Sequence, residues 1–204
     1  MSLRKALDIA RKANCIAMIE NHYMPEPLKL LKKGDIITHI FHNYYNPLAK
    51  RIDGLIDENG TIHEEFFKAR NEGVYLDVGH GSSSFSWDVA GKAIENGLYP
   101  DIIGTDLWKS NINGPVYNLT TTMEKFLLVG MSLFDVIKAV TYTPATAIKK
   151  ISGFGNLSCN SLADVVIFKV AERKKSLTDS QGKSKIGNKV ISIRNVILNG
   201  ELLT

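Results

Sequence analysis

Four short apolar runs, at 15–19, 36–41, 74–78 and 102–106, alternate with stretches of helical periodicity over the first three-quarters of the sequence. Each run is apolar nearly throughout rather than at every second residue. That is the pattern of strands covered on both faces, as in a parallel sheet. Before the first run, Leu3, Ala6, Leu7, Ala10 and Ala13 fall on one face of a helix predicted over 3–14. A short helix is predicted over 24–33, and a long polar loop over 43–59 ends in the turn Asn59-Gly60. Thr61 with Glu64 three residues on reads as a capping box for a helix through Asn71. A further helix runs from the serines at 82–84 to about Asn96 and is closed by Gly97. Helices over 120–129 and 132–140 and a turn from Pro144 complete the series. Such alternation predicts an α/β fold for 1–150, either an open doubly wound sheet or part of a (β/α) barrel. From 151 the texture changes to turn residues and two strands, 164–170 and 190–198, separated by a basic polar loop. Residues 151–204 therefore read as a small β appendage.

What ends the apolar runs points to chemistry. His22 follows the first run, His39 lies late in the second with His42 just beyond, His80 ends the third and Asp106 ends the fourth. In parallel α/β folds the C-terminal ends of the strands form the rim where active sites sit. Imidazole and carboxylate at one rim are the usual ligands of a catalytic zinc. A strand-end histidine also serves as a hydrogen-bonded structural residue, and both readings stand at this point. Trp108, two residues beyond Asp106, is expected at the same mouth, His63 on the surface, and Asp77 paired with backbone or a cation.

Other classes are excluded by what the chain carries. The +4 net charge is mild and spread out, and the one dense run, Arg173-Lys174-Lys175 with Lys183 and Lys185, reads as a solvated loop with no nucleic-acid signature. Gly79-His80-Gly81-Ser82 lacks the spacing and the following lysine of a nucleotide loop, and the serines at 82–84 lack a G-x-S-x-G frame. No apolar run reaches the ~20 residues of a membrane span. No apolar core follows Arg4 and Lys5, so no signal peptide is expected. Cys15 and Cys159 give neither a disulfide framework nor a CxxC pair, and the expected setting is cytoplasmic.

Several segments taken together resemble the amidohydrolase superfamily, in its deacetylase and dihydroorotase-like branch. They are GDIITHIFH at 34–42, DVGHGSSSFS at 77–86, IGTDL at 103–107, PVYNLTTTM at 115–123, AVTYTPA at 139–145, LADVVIF at 162–168 and VILNGE at 196–201. The resemblance implies a (β/α)8 barrel with a small β-sandwich, of which this chain holds the C-terminal half, strands five to eight. It implies one or two zinc ions held by a His-x-His pair on strand one, a carboxylated lysine on strand four, histidines on strands five and six and an aspartate on strand eight. Carried over, His39 matches the strand-six ligand, and Asp106 the strand-eight ligand and general base. His80 is expected to face the substrate beside Trp108. The chain departs from this pattern where the strand-five histidine is due: Glu20 stands there, with Asn21 next and His22 after, so Glu20 or His22 is the expected ligand. Trp108 stands where relatives often carry histidine.

The resemblance thus implies hydrolysis of a C–N bond in a small amide by metal-activated water, impaired in this chain alone because the ligands of strands one to four have no counterpart. The alternative is a non-catalytic half-barrel serving in structure or assembly. The lone half-sheet is expected to leave two strand edges unpaired and to expose Ile36, Ile40, Val74, Leu76 or their alternates. Leaving a few hundred Å2 of apolar surface wet costs on the order of several kcal/mol at ~25 cal/mol per Å2. A homodimer, or a separately supplied first barrel half, is the expected partner.

Overall fold

The apolar runs become strands that are shorter as regular ladders than as sequence. The computed structural model describes residues 2–22, 24–47, 50–148 and 153–203. Helix α1 (Leu3–Lys12) leads into β1 (Met18–Glu20), and a 3-10 turn over Glu26–Leu30 precedes β2 (Ile36–Thr38). Helix α2 (Glu64–Asn71) precedes β5 (Tyr75–Leu76). Strands β1, β2 and β5 pair in parallel in that order, with Met18 opposite Ile36 and Ile36 opposite Tyr75. The fourth run continues the sheet through a parallel bridge, Asp77 with Ile102, and through bonds from the N–H groups of Val78, His80 and Gly81 to the carbonyls of Ile102, Gly104 and Thr105. The α/β expectation and the parallel order hold.

Three local expectations are corrected. The first strand starts three residues late, at Met18, because residues 13–17 serve as a turn in which Ala17 N–H donates to the buried carboxylate of Asp35. The loop at 43–59 contains a small hairpin, β3 (Tyr45–Asn46) with β4 (Arg51–Ile52). Thr61 does not cap α2: the Asp57 carboxylate captures its N–H at 2.8 Å, and His63 takes the cap position without a side-chain bond.

Helix α3 (Trp87–Glu95) follows the rim turn. Helix α4 (Leu119–Leu128) is capped by Asn118, which accepts from Thr121 N–H. Helix α5 (Leu133–Val140) is capped by Ser132, and α6 (Tyr142–Ile148) follows. The expected boundary near 150 lies outside the described residues. Beyond it, β6 (Val165–Thr178), β7 (Ser184–Leu198) and β8 (Glu201–Leu203) form an antiparallel sheet. At 14 and 15 residues, β6 and β7 extend across what the sequence reads as a solvated basic loop, with a shift of register between Glu172 and Lys175. The reason is local: Lys175 reaches back to α4, where it donates to Glu124 at 2.6 Å and to Thr121 at 3.2 Å.

The core lies between the parallel strands, the helices and the appendage. Phe41, Phe85, Phe126 and Trp87 are fully buried, with neighbouring ring centroids 5.2 to 6.3 Å apart, the range of favourable tilted aromatic pairs. Ile36, Ile40, Val74 and Leu76 are buried, which corrects the expectation that the inner face stands wet. Ile36 and Ile102 pack against Ala147 of α6, so that helix covers part of the sheet. No helix among the described residues is long and apolar enough to cross a membrane.

Candidate active site

The C-terminal ends of the four parallel runs meet at one open depression of about 400 Å3. Its lining includes Glu20 and His22 after β1, His39 and His42 after β2, Ser82 after the third run, and Asp106 and Trp108 after the fourth. The structure therefore brings together every residue the sequence nominated except His80.

His39 and Asp106 share a backbone feature. Both sit in the left-handed region, with φ of 61° and 47°. A non-glycine residue there costs on the order of 1–3 kcal/mol and persists where its surroundings enforce it, commonly at functional sites. Here the enforcing element is the turn Gly79-His80-Gly81. A Cβ on Gly79, whose φ is +45°, would lie 2.2 Å from Thr38 Oγ1 and 2.7 Å from His39 Nδ1. One on Gly81, whose φ is +52°, would lie 2.8 Å from Asp106 Oδ2. Two glycines thus let the turn lie directly against both side chains. His39 Nδ1–H donates to Gly79 O at 2.5 Å, which leaves Nε2 as its ligand-capable nitrogen. Asp77, as expected, is buried in structural bonds: it accepts from Thr38 Oγ1 at 2.5 Å and from Gly104 N–H at 2.9 Å, and burial pushes its carboxyl up.

His22 and Glu20 are exposed and bond each other, Nε2 to Oε2 at 3.1 Å. His42 is fully buried. Its Nε2–H donates to Asn21 O, its Nδ1 accepts from Tyr44 N–H at 3.3 Å, and its ring stacks on Tyr44 at 4.6 Å. Burial is the main cause holding its pKa down to about 4, so it is a neutral structural imidazole. Trp108 is 56% exposed at the mouth, and its indole N–H donates to Ser82 Oγ at 3.1 Å.

His80 is the residue that departs from its expected role. Its ring is fully buried, stacked on Phe85 at a centroid distance of 4.7 Å. Nδ1–H donates to Gly81 O at 2.9 Å, and Nε2 accepts from Lys125 Nζ at 2.6 Å. With both nitrogens engaged inside the protein it does not face the depression. The physical reason is the aromatic cluster beneath the rim, which takes the ring inward while the backbone stays at the strand end.

Lys125 is the residue the sequence reading missed. It is fully buried on α4 and also donates to Pro115 O at 2.9 Å and Thr178 O at 2.6 Å. The available signal was its place beside Glu124 in a helix that is otherwise uncharged.

Whether these residues suit a metal follows from the donors present. A catalytic zinc uses about three protein ligands. Among the described residues, no three of His, Cys, Asp and Glu gather closely enough to hold an ion. His39 and Asp106 are a partial donor set, and Glu20 and His22 bond to each other. Beside them, Asn21 Oδ1 is buried without a donor although its Nδ2 reaches the carbonyls of His39 and Ile40 at 3.4 and 3.5 Å. The rim of this chain does not complete a metal centre by itself.

The fold and rim define an α/β protein that gathers imidazole and carboxylate side chains at the C-terminal ends of parallel strands. No protein-family model matches the chain. A deacetylase of Enterococcus faecalis is 35% identical over 182 residues, covering 88% of this chain and 47% of that protein. The crystal structure of an adenine deaminase superposes with a TM-score of 0.89 at 33% identity, over 98% of this chain and 54% of the other. That of a dihydroorotase gives 0.82 at 31% identity, over 98% and 53%. The chain belongs to the amidohydrolase superfamily and spans about half the length of the relatives it matches.

Proposed function

We propose that this chain is the C-terminal half of an amidohydrolase barrel, carrying strands five to eight. It contributes His39 and Asp106 to hydrolysis of a C–N bond in a small amide, in a cytoplasmic setting. The observation that carries this reading is the pair itself: two left-handed residues on different strands, held by one glycine turn at one depression. Asp106 stands exposed at the mouth, where a carboxylate can take a proton from attacking water and pass it to the leaving amine. Trp108 offers an aromatic wall for the substrate. Zinc, the metal the resemblance implies, would polarise the amide carbonyl and lower the pKa of water. The donor set here does not hold it unaided, so the chain works with a first barrel half or as a homodimer and is impaired alone.

The test is reconstitution with the first half of the Enterococcus faecalis deacetylase. Alone, the chain is expected to retain less than one zinc after dialysis and not to hydrolyse an N-acetyl amino acid above buffer. Co-expressed with that half, it should gain stoichiometric zinc and turnover, and His39→Ala or Asp106→Ala should abolish both. Zinc and turnover that survive both substitutions would overturn the assignment. A stable complex inert toward N-acetyl amino acids and cyclic amides alike would favour the non-catalytic alternative, for which Glu20 at the expected histidine position speaks.

A further inference from the structure

We propose that Lys125 is a positioning residue: through His80 it holds the Gly79-His80-Gly81 turn in the shape that presents His39 and Asp106 at the depression. This rests on reading His39 and Asp106 as the working pair.

The constraint runs outward from the ammonium. Lys125 Nζ has three acceptors, His80 Nε2 at 2.6 Å, Thr178 O at 2.6 Å and Pro115 O at 2.9 Å, matching its three protons. Lys125 and His80 are fully buried, where a cation without such partners would be costly. His80 passes the constraint on: its Nδ1–H closes on Gly81 O, and its ring is clamped flat on Phe85. The same turn meets His39 through Gly79 O and packs Gly81 against the Asp106 carboxylate. A change at Lys125 therefore reaches both residues through two backbone positions, although Lys125 is on a separate helix. The link also fixes a chemical state. Nδ1–H to Gly79 O makes Nε2 the free nitrogen of His39, so the turn selects the tautomer as well as the orientation.

The charges around the cluster are consistent with this role. Burial is the main cause lowering Lys125 to about 7, with Asp179 of the β6–β7 turn raising it and Lys175 of β6 lowering it. Lys175 is itself paired with Glu124 of α4, and His80 stays neutral beside the cation, held down to about 3 by burial and then by Lys125.

Long-range 1H–15N spectra of the histidine rings test the link without metal or turnover, so failure here is separate from failure of the hydrolase reading. At about pH 7, above the ordinary imidazole value and where Lys125 keeps part of its charge, the unaltered chain should show His39 and His80 each with the proton on Nδ1. In Lys125→Met, His39 is expected to lose that single-tautomer pattern and average between both forms, while near-UV circular dichroism reports a folded chain. His80→Phe keeps the stack on Phe85 and breaks the same link from the other side, and carries the test where Lys125→Met unfolds. A folded variant of either kind in which His39 keeps its Nδ1–H pattern would overturn the proposal. So would failure of both variants to fold, which would assign the pair to stability alone.

Discussion

Three side chains are buried at a cost that depends on pH. His42 and His80 are held down to about 4 and about 3, chiefly by burial, and Lys125 to about 7 for the same reason. For each, the folded chain binds fewer protons than the unfolded one, so stability rises with pH between the folded and unfolded values. The two histidines contribute fully above their ordinary 6.5 and lose that contribution as pH falls toward 4 and then 3. Lys125 adds a rise between about 7 and its ordinary 10.5. Asp77, pushed up by burial from its ordinary value, works the opposite way and offsets part of the acid slope. Moving from pH 7 to 4.5 should therefore cost on the order of a few kcal/mol. Urea denaturation at the two pH values measures it, and equal midpoints would show that the imidazoles are not buried as described. In the sequence these groups are legible as strand-end histidines but not as buried ones. Alternation places the backbone of His80 at the rim. The inward turn of its ring depends on Phe85, Phe126 and Lys125, and Lys125 lies 45 residues away.

At the scale of elements, the four apolar runs and the helices between them are readable because period alone separates a covered strand from an amphipathic helix. Strand extents are not. The basic stretch 173–175 lacks the apolar alternation of a half-buried strand, yet the ladder with β7 resumes at Lys175 after a register shift, and Lys175 pairs with Glu124. Burial of Ile36, Ile40, Val74 and Leu76 removes one reason for self-association and leaves another. Strand β1 is hydrogen-bonded on one side, and its Met18 is 58% exposed. An apolar edge without lysine or proline recruits further strands. At the far edge, Ile103 N–H already donates to Ala139 O of α5, so the β1 edge is the stronger candidate for pairing. A homodimer is the expected state in light scattering at micromolar concentration, and Met18→Lys should shift it toward monomer. A monodisperse monomer of the unaltered chain would refute pairing through β1.

Considered whole, the molecule is stitched across its two textures through Lys175 and Glu124 and again at a hairpin tip. The turn between β6 and β7 donates Ser180 N–H to Phe85 O at 2.9 Å, and Asp179 accepts from Trp87 N–H at 3.2 Å. Trp87 Nε1–H donates to Lys183 O at 2.9 Å, and Lys125 holds Thr178 O. A hairpin tip is ordinarily where a long two-stranded ribbon frays first, whereas here it is the anchored end. The consequence is kinetic: the local opening that releases amide protons at the tip must also release the rim turn, so the two belong to one cooperative unit. Deuterium exchange should find Ser180 as slow as Val78 and His80. Rapid exchange at Ser180 with protected rim amides would mean that the appendage opens independently of the site it braces.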